Sequence, residues 1–105
     1  MEKLEKNAMS SSVIFECEDI YEAEKLAGLL HVQKNGNTLI GSTSAVVNAE
    51  VILLLKDKSA HSVVLKDSNT ALRLKTFVEE IVNEKKSIIE TKLHNSILEI
   101  ITSEH

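Results

Sequence analysis

Four histidines and one cysteine are the side chains of this 105-residue chain best suited to metal binding or catalysis. No two of the histidines stand three or four residues apart, and no carboxylate pattern of a metal site accompanies them; they are His31, His61, His94 and His105. The sequence therefore predicts no metal site and no catalytic histidine.

Cys17 is the only cysteine, so the chain cannot form an intrachain disulfide or a sulfur-based metal cage. Cys17 alternates with Phe15 and Val13, which predicts a buried and unreactive thiol on the core side of a strand. A chain without disulfides is typical of a reducing compartment, and we expect the protein to be cytoplasmic.

Two polar clusters could also carry chemistry. The hydroxyls of 42–44 could receive an anion at a helix N-terminus, but a polar strand edge or a simple cap also accounts for them. Glu79 and Glu80 are neighbours on a predicted helix and diverge by about 100°, so they cannot form a carboxylate dyad. No glycine-rich phosphate loop is present, and we expect no enzyme activity and no cofactor.

The composition excludes several binding functions. A net charge of −4, a pI near 5.5 and only three aromatic residues disfavour autonomous binding to nucleic acid or to an anionic membrane surface. The first residues, MEKLEKNAMSSS, lack an apolar signal-peptide core, and no apolar run reaches 18 residues. We expect residues 1–12 to be flexible.

The regular elements should begin after this segment. Residues 13–18 alternate as a half-buried strand, and Asp19 can cap a helix in which Ala23, Ala27 and Leu30 share one face. Asn35-Gly36 predicts a chain reversal. Residues 43–56 are open to either strand or helix, and the apolar run 51–55 followed by the polar turn 56–59 favours a β-hairpin.

A second helix should follow the hairpin, capped by Asp67 or Ser68, and Ile89, Leu93 and Ile97 then repeat at helical spacing. The predicted fold is α+β and two-layered: an antiparallel sheet of three to four strands, two helices on one face in β-α-β-β-α order, and a C-terminal helical extension. The domain would span 13–83 and the amphipathic extension 84–105. No internal repeat is evident.

A strand that is apolar on both faces needs two covering layers. Val51, Leu53 and Leu55 point to one side of the predicted strand, and Ile52 and Leu54 point to the other. Two helices on one face leave the second face open, so it must be covered by the C-terminal segment or by another chain.

The stretch EVILLLKDKSAHSVVLKDSNTALRLKTFVEEIV resembles the small dimerising subunit of the KEOPS complex, the Pcc/CTAG family. In that family a hairpin runs into an Asp or similar cap and an ALR sequence opens the last helix; here these are Asp67, Ala71, Leu72 and Arg73. YEAEKLAGLL resembles the family's first helix, and the similarity covers about residues 13–82. The chain departs from the family at Phe77 and Val78, where an Asn-Ser pair is common.

The resemblance implies a non-catalytic assembly subunit in the machinery that installs threonylcarbamoyladenosine on tRNA. Such a subunit dimerises through its sheet, as a homodimer or with a paralogous subunit, and packs its helices on the catalytic KEOPS subunit; it meets tRNA only through the complex and does not bind a membrane. Candidate core, dimer or partner-contact residues are Val51, Leu53, Leu55, Val63, Leu65, Leu72, Arg73, Leu74, Val78, Ile89, Leu93 and Ile97.

A second hypothesis is a degenerate regulatory protein resembling HPr. If TSAVVNAEVILLLK is a helix, the element order becomes βαββαβα, although the phospho-accepting histidine expected at the start of the first helix is replaced by Asp19, Ile20 and Tyr21. An unclassified protein-interaction module is a further alternative. The conformation of 49–56 separates the first two hypotheses, because the KEOPS-like order requires a strand there.

Overall fold

The computed structural model describes residues 10–35, 39–45 and 49–104, which form an α+β fold of six strands and two helices. In chain order these are β1 (Ser10–Glu16), α1 (Ile20–Asn35), β2 (Leu39–Ala45), β3 (Glu50–Leu55), β4 (Ala60–Val64), α2 (Ser68–Val82), β5 (Lys86–His94) and β6 (Ile97–Glu104). Of the segment predicted to be flexible, 1–9 lies outside the described residues and 10–12 belongs to β1.

The strands form two antiparallel three-stranded sheets with the orders β1-β6-β5 and β2-β3-β4. The sheets meet where β1 and β4 end, through a bridge between Cys17 and Leu65. Two backbone bonds flank this bridge: Glu18 N–H donates to Val64 O at 3.0 Å, and Lys66 N–H donates to Glu16 O at 2.9 Å. The two sheets are therefore hydrogen-bonded to each other at this junction.

The predicted architecture is wrong beyond its α+β class. The strands form two sheets where one sheet with both helices on one face was predicted, and the last elements are strands. The segment 84–105, predicted as a helical extension, contains the β5–β6 hairpin, and β6 pairs along its length with β1. Leu98, Ile100 and Thr102 are buried in alternation, which is the period of a strand. The two-residue turn between these strands begins with Asn95, whose φ of 56° this residue type tolerates.

The run 51–55 is a strand, as the hairpin prediction required. Val51 lies opposite Val63 in the β3–β4 ladder, and Ser44 of β2 lies opposite Val51 on the other side. The HPr-like element order needs a helix here, and the strand Glu50–Leu55 takes its place. The structure thus removes the structural basis of that alternative.

Both helices begin at an aspartate. The carboxylate of Asp19 accepts a hydrogen bond from Glu22 N–H at 3.0 Å, and that of Asp67 accepts from Thr70 N–H at 2.8 Å and from the Thr70 hydroxyl at 2.7 Å. The two bonds from N–H groups each satisfy a backbone donor that the first helical turn leaves unpaired. Helix α1 packs on β4, β5 and β6, and α2 packs mainly on β2 and β3.

The chain contains a structural repeat that its sequence does not make evident. The segment β1-α1-β2-β3 has the same element order as β4-α2-β5-β6. The two capping aspartates, Asp19 and Asp67, stand 48 residues apart, and so do the buried helix residues of the two halves: Ala23 and Ala71, Leu26 and Leu74, Leu30 and Val78. Even the irregularities match, since β2 and β5 each carry one register shift.

The two repeats are interlocked by their pairing. The first strand of each repeat pairs with the last strand of the other, β1 with β6 and β4 with β3. Lys25 Nζ donates to Ser62 O at 3.0 Å, and the equivalent Arg73 Nη2 donates to Ile14 O at 3.2 Å. Each bond joins one repeat to the other, so the molecule is a pseudo-two-fold arrangement within one chain, with a shared core.

The cap at Asp67 gives a testable contribution to stability. The Thr70 N–H and hydroxyl hold the pKa of Asp67 below its usual value. The stabilisation that this charge contributes is therefore present above the usual carboxyl pKa and is lost as the pH falls through the lowered value. We expect Asp67→Ala to lower the Tm by several degrees at pH 7 and by less near pH 3.

Thermal unfolding followed by circular dichroism at both pH values measures this difference. Glu18→Ala, next to a cap but outside either helix, is the control and should leave the Tm nearly unchanged. An Asp67→Ala effect that is equal at pH 7 and pH 3 would contradict a role for the ionised cap.

Candidate interaction surfaces

The structure divides the predicted interface residues into buried and accessible groups. Seven lie in the hydrophobic core: Val51, Leu53, Leu55, Val63, Leu65, Leu74 and Val78. Ile97 is half-buried, and the accessible ones are Leu72, Arg73, Ile89 and Leu93. The seven buried side chains cannot contact another protein, because they already pack against one another in the core.

Leu72 and Arg73 border a cleft between α2 and β1. We call it the α2–β1 cleft; it has a volume of about 290 Å³ and is lined by Val13, Phe15, Leu72, Arg73, Thr76, Phe77, Glu80 and Lys86. Leu72 is 47% exposed at its border. Its combination of apolar walls with charged groups at the rim is typical of sites that receive a partner's side chain.

Arg73 is held in place at this cleft by two contacts. Its guanidinium lies 5.3 Å from the centroid of the Phe15 ring, and its Nη2 donates to Ile14 O. Phe15 is itself fixed against Phe77, with ring centroids 5.5 Å apart and planes tilted by 59°. A guanidinium supported on an aromatic ring keeps its remaining donors oriented toward solvent, which suits recognition of a carboxylate.

A second and wider concavity, of about 570 Å³, lies on the other side of Arg73. Its charged groups are already engaged: Lys66 Nζ is 3.3 Å from Glu16 Oε1, and Asp67 caps α2. The cation at the other end of the α2–β1 cleft, Lys86, similarly lies 3.2 Å from Glu80 Oε1. Neither concavity presents an uncompensated cluster of positive charge for a phosphate.

The sheets expose aliphatic side chains on the face opposite the buried positions. We call this the outer face; its residues alternate with the core residues and include Ile14, Ile52, Leu54, Val64, Ile97 and Ile101. Ile14 is 52% exposed and the others are half-buried. Charged residues such as Glu99 and Lys92 interrupt these aliphatic positions, so the outer face is a mixed surface.

Two edge strands, β5 in one sheet and β2 in the other, carry further exposed aliphatic residues. Ile89 and Leu93 on β5 are 43% and 40% exposed, and Ile40 on β2 is 51% exposed. Ile40 and Ile89 are the extra residues at the two register shifts, so they occupy equivalent places in the two repeats. Ile14 and Ile40 were absent from the predicted contact residues, although the alternation of Ile14 with Glu16 and Glu18 had placed Ile14 on the face away from the core.

The turn between β3 and β4 brings a carboxylate, a hydroxyl and an imidazole together. The Ser59 hydroxyl donates to Asp57 Oδ1 at 2.5 Å, and His61 Nε2 lies 2.9 Å from Ser59 Oγ. The hydroxyl and the backbone N–H of Ser59 both donate to Asp57 Oδ1, and these two bonds lower the pKa of Asp57. The Ser59 hydroxyl donates its proton to the carboxylate, and within the described residues no carboxylate bonds the other ring nitrogen of His61. The arrangement therefore differs from a nucleophile–base–carboxylate triad and stabilises the turn.

Cys17 is buried, as predicted, and its surroundings suppress its reactivity. Burial, and then the carboxylates of Glu22, Asp19 and Glu16, raise the pKa of the Cys17 thiol from 9.0 to about 11. Within the described residues no group of three or more His, Cys, Asp or Glu side chains could hold a metal ion.

The thiol therefore gives a sensitive test of the folded state. We expect native protein at pH 8 to react with a thiol reagent at least about 100-fold more slowly than the same protein in denaturant, because both access and thiolate fraction are low. Because the folded pKa is raised, the stabilisation by the protonated thiol is complete below pH 9.0 and declines as the pH rises toward 11. Native labelling at the denatured rate would contradict the burial of Cys17.

No helix in the described part of the chain is long and apolar enough to cross a membrane. Comparison with protein-family models, curated proteins and solved structures found no match. The candidate surfaces therefore rest on the geometry of this chain alone.

Proposed function

We propose that this protein is a non-catalytic, cytoplasmic assembly subunit that dimerises and binds a catalytic partner, in the manner of the small KEOPS subunit that residues 13–82 resemble. In this role it supports threonylcarbamoyladenosine modification of tRNA through protein contacts and meets tRNA only within the complex. Its dimer partner is a second copy or a paralogous subunit.

The α2–β1 cleft is the observation that carries the proposal. It lies on the helix that begins with the family-like sequence, and it combines an exposed Leu72 with an Arg73 that is fixed on Phe15. An oriented arginine beside a concave apolar wall is typical of partner contacts, and Leu72 adds exposed apolar surface next to it. The cleft is therefore the proposed contact with the catalytic subunit.

Titration calorimetry with the purified catalytic KEOPS subunit tests this contact. We expect Leu72→Asp and Arg73→Glu to weaken binding by at least about tenfold, the equivalent of 1.4 kcal/mol. Lys25→Glu is the matched control, because Lys25 occupies the place of Arg73 in the first repeat and makes the equivalent bond to a strand carbonyl.

The outcomes separate the proposal from a general interaction role. Binding that is lost in the α2 variants and kept in Lys25→Glu supports it. A folded protein that does not bind the catalytic subunit at micromolar concentration contradicts the KEOPS assignment and leaves an interaction module of another kind.

A further inference from the structure

We infer that two copies of this protein pair in antiparallel orientation along β5, with Thr91 opposite the partner's Thr91. β5 is an edge strand of its sheet: among the described residues it pairs with β6 on one side and with no strand on the other. The inference identifies the dimer contact of the proposed function and rests on that function for its biological role. It does not depend on the identity of the catalytic partner.

The backbone of β5 has hydrogen-bonding groups available at its outer side. His94 and Ile97 flank the two-residue turn of the β5–β6 hairpin, and residues in that position exchange hydrogen bonds across the hairpin. Bonded and non-bonded pairs then alternate, so the N–H and C=O groups of Thr91 and Leu93 point away from β6. An edge strand with unpaired N–H and C=O groups is a template for pairing with another strand.

The side chains of β5 are self-complementary in one register. The segment is Ile89-Glu90-Thr91-Lys92-Leu93. When two copies run in opposite directions with Thr91 on the two-fold axis, Glu90 lies opposite the partner's Lys92 and Ile89 lies opposite the partner's Leu93. The symmetry repeats both contacts, which gives two ion pairs and two apolar pairs.

This register also uses groups that the folded chain leaves available. Glu90 and Lys92 lie on the outer face, opposite Ile101 and Glu99, and they form no ion pair within the described part of the chain. Ile89 and Leu93 are the two large exposed hydrophobic residues of β5. The same pairing that brings opposite charges together therefore also covers exposed aliphatic surface.

The equivalent edge strand of the first repeat, β2, lacks these paired opposite charges. β2 has the sequence LIGSTSA, which carries no charge that could select a register or a partner. The register shift at Ile89 ends the regular ladder of β5, so the paired segment is short. We therefore expect a dimer that dissociates on dilution in the micromolar range, typical of a small interface.

Exchanging the charges at positions 90 and 92 tests the register. Sedimentation equilibrium of the full chain over a range of concentrations measures the dimer dissociation constant of each variant. Glu90→Lys places a lysine opposite the partner's Lys92, and Lys92→Glu places two glutamates together; each should weaken dimerisation at least about tenfold. The double variant Glu90→Lys/Lys92→Glu restores opposite charges and should return the dissociation constant to within about threefold of the original. Far-UV circular dichroism checks that each variant is folded.

Cysteine cross-linking tests the two-fold axis. Thr91→Cys faces its own copy only in the proposed register, and opposed residues of that kind have Cα atoms about 5.5 Å apart, within disulfide range. We expect rapid oxidation to a covalent dimer. Lys92→Cys, whose cysteine would face Glu90 of the partner subunit, is the matched control and should cross-link slowly, and the buried Cys17 should remain reduced in both.

A dimer that is insensitive to both single charge variants would overturn the β5 contact and place the dimer interface elsewhere. A monomer at all concentrations would overturn both the inference and the homodimer. This holds even if β5 is found to bind another extended chain. Neither result affects the calorimetric test at Leu72. Loss of catalytic-subunit binding with an intact β5 dimer would instead remove the proposed function and leave this inference in place.

Discussion

Leu53→Asp is expected to abolish folding, whereas Leu54→Asp, one residue further along the same strand, is expected to leave the protein folded. The Leu53 side chain is fully buried in the core, and a carboxylate there loses its hydration with no partner within the cluster. The expected cost exceeds about 4 kcal/mol, a large part of the 5–15 kcal/mol that stabilises a typical domain.

Leu54 provides a closely matched control. It lies on the outer face opposite Gly41 and Ala60 and is half-buried, so its replacement should cost no more than about 1.5 kcal/mol. Urea denaturation followed by circular dichroism measures both variants. The opposite result, in which Leu53→Asp unfolds cooperatively and Leu54→Asp shows no cooperative transition, would contradict this assignment. It would mean that Leu54, and not Leu53, faces the core.

The local elements of this fold were accessible from the sequence because their signals are short-range. Alternation of Phe15 and Cys17 identified β1, and capping residues identified the start of both helices, with Asp67 and Ser68 both left open for the second. The hairpin at 50–64 followed from an apolar run of strand length bounded by a polar turn. Each of these inferences used residues within a few positions of one another.

The C-terminal hairpin was missed because the aliphatic residues of this segment fit both the period of a helix and the period of a strand. Ile89, Leu93 and Ile97 recur every four residues, as on a helix, while Leu98 and Ile100 alternate as in a strand. The strand is selected by pairing with β1, about 90 residues away, which no local pattern reveals. The isoleucine-rich composition and the Asn95-Ser96 turn were the available indications.

The repeat was concealed for a related reason. Between 10–35 and 58–83 only a few equivalent positions are identical, among them Asp19 and Asp67 and Leu26 and Leu74. Those positions are caps and core contacts, whereas the surface residues of the two halves have different charges. The α2–β1 cleft could not be predicted either, because it forms between elements of different repeats.

A chain ending at Asn83 is expected not to fold, because β5 and β6 belong to the core. The truncation removes Leu98 and Ile100, both fully buried, together with Ile88, and it leaves the full length of β1 without its partner strand. Each lost side chain contributes roughly 1.5–3 kcal/mol, and the sum approaches the total stability of a small domain. The truncated protein should show no cooperative unfolding and poor amide dispersion by NMR.

Adding a peptide of residues 84–105 to the truncated protein supplies the control. Because β6 pairs on both sides within its sheet, the peptide should restore the β1-β6-β5 order and the protection of Cys17 from thiol reagents. A cooperative transition in the truncated chain alone would mean that 84–105 is an extension after all. If the truncation unfolds, the oligomeric state of the shortened chain says nothing about the dimer contact, and only point variants on β5, such as Glu90→Lys, can locate it.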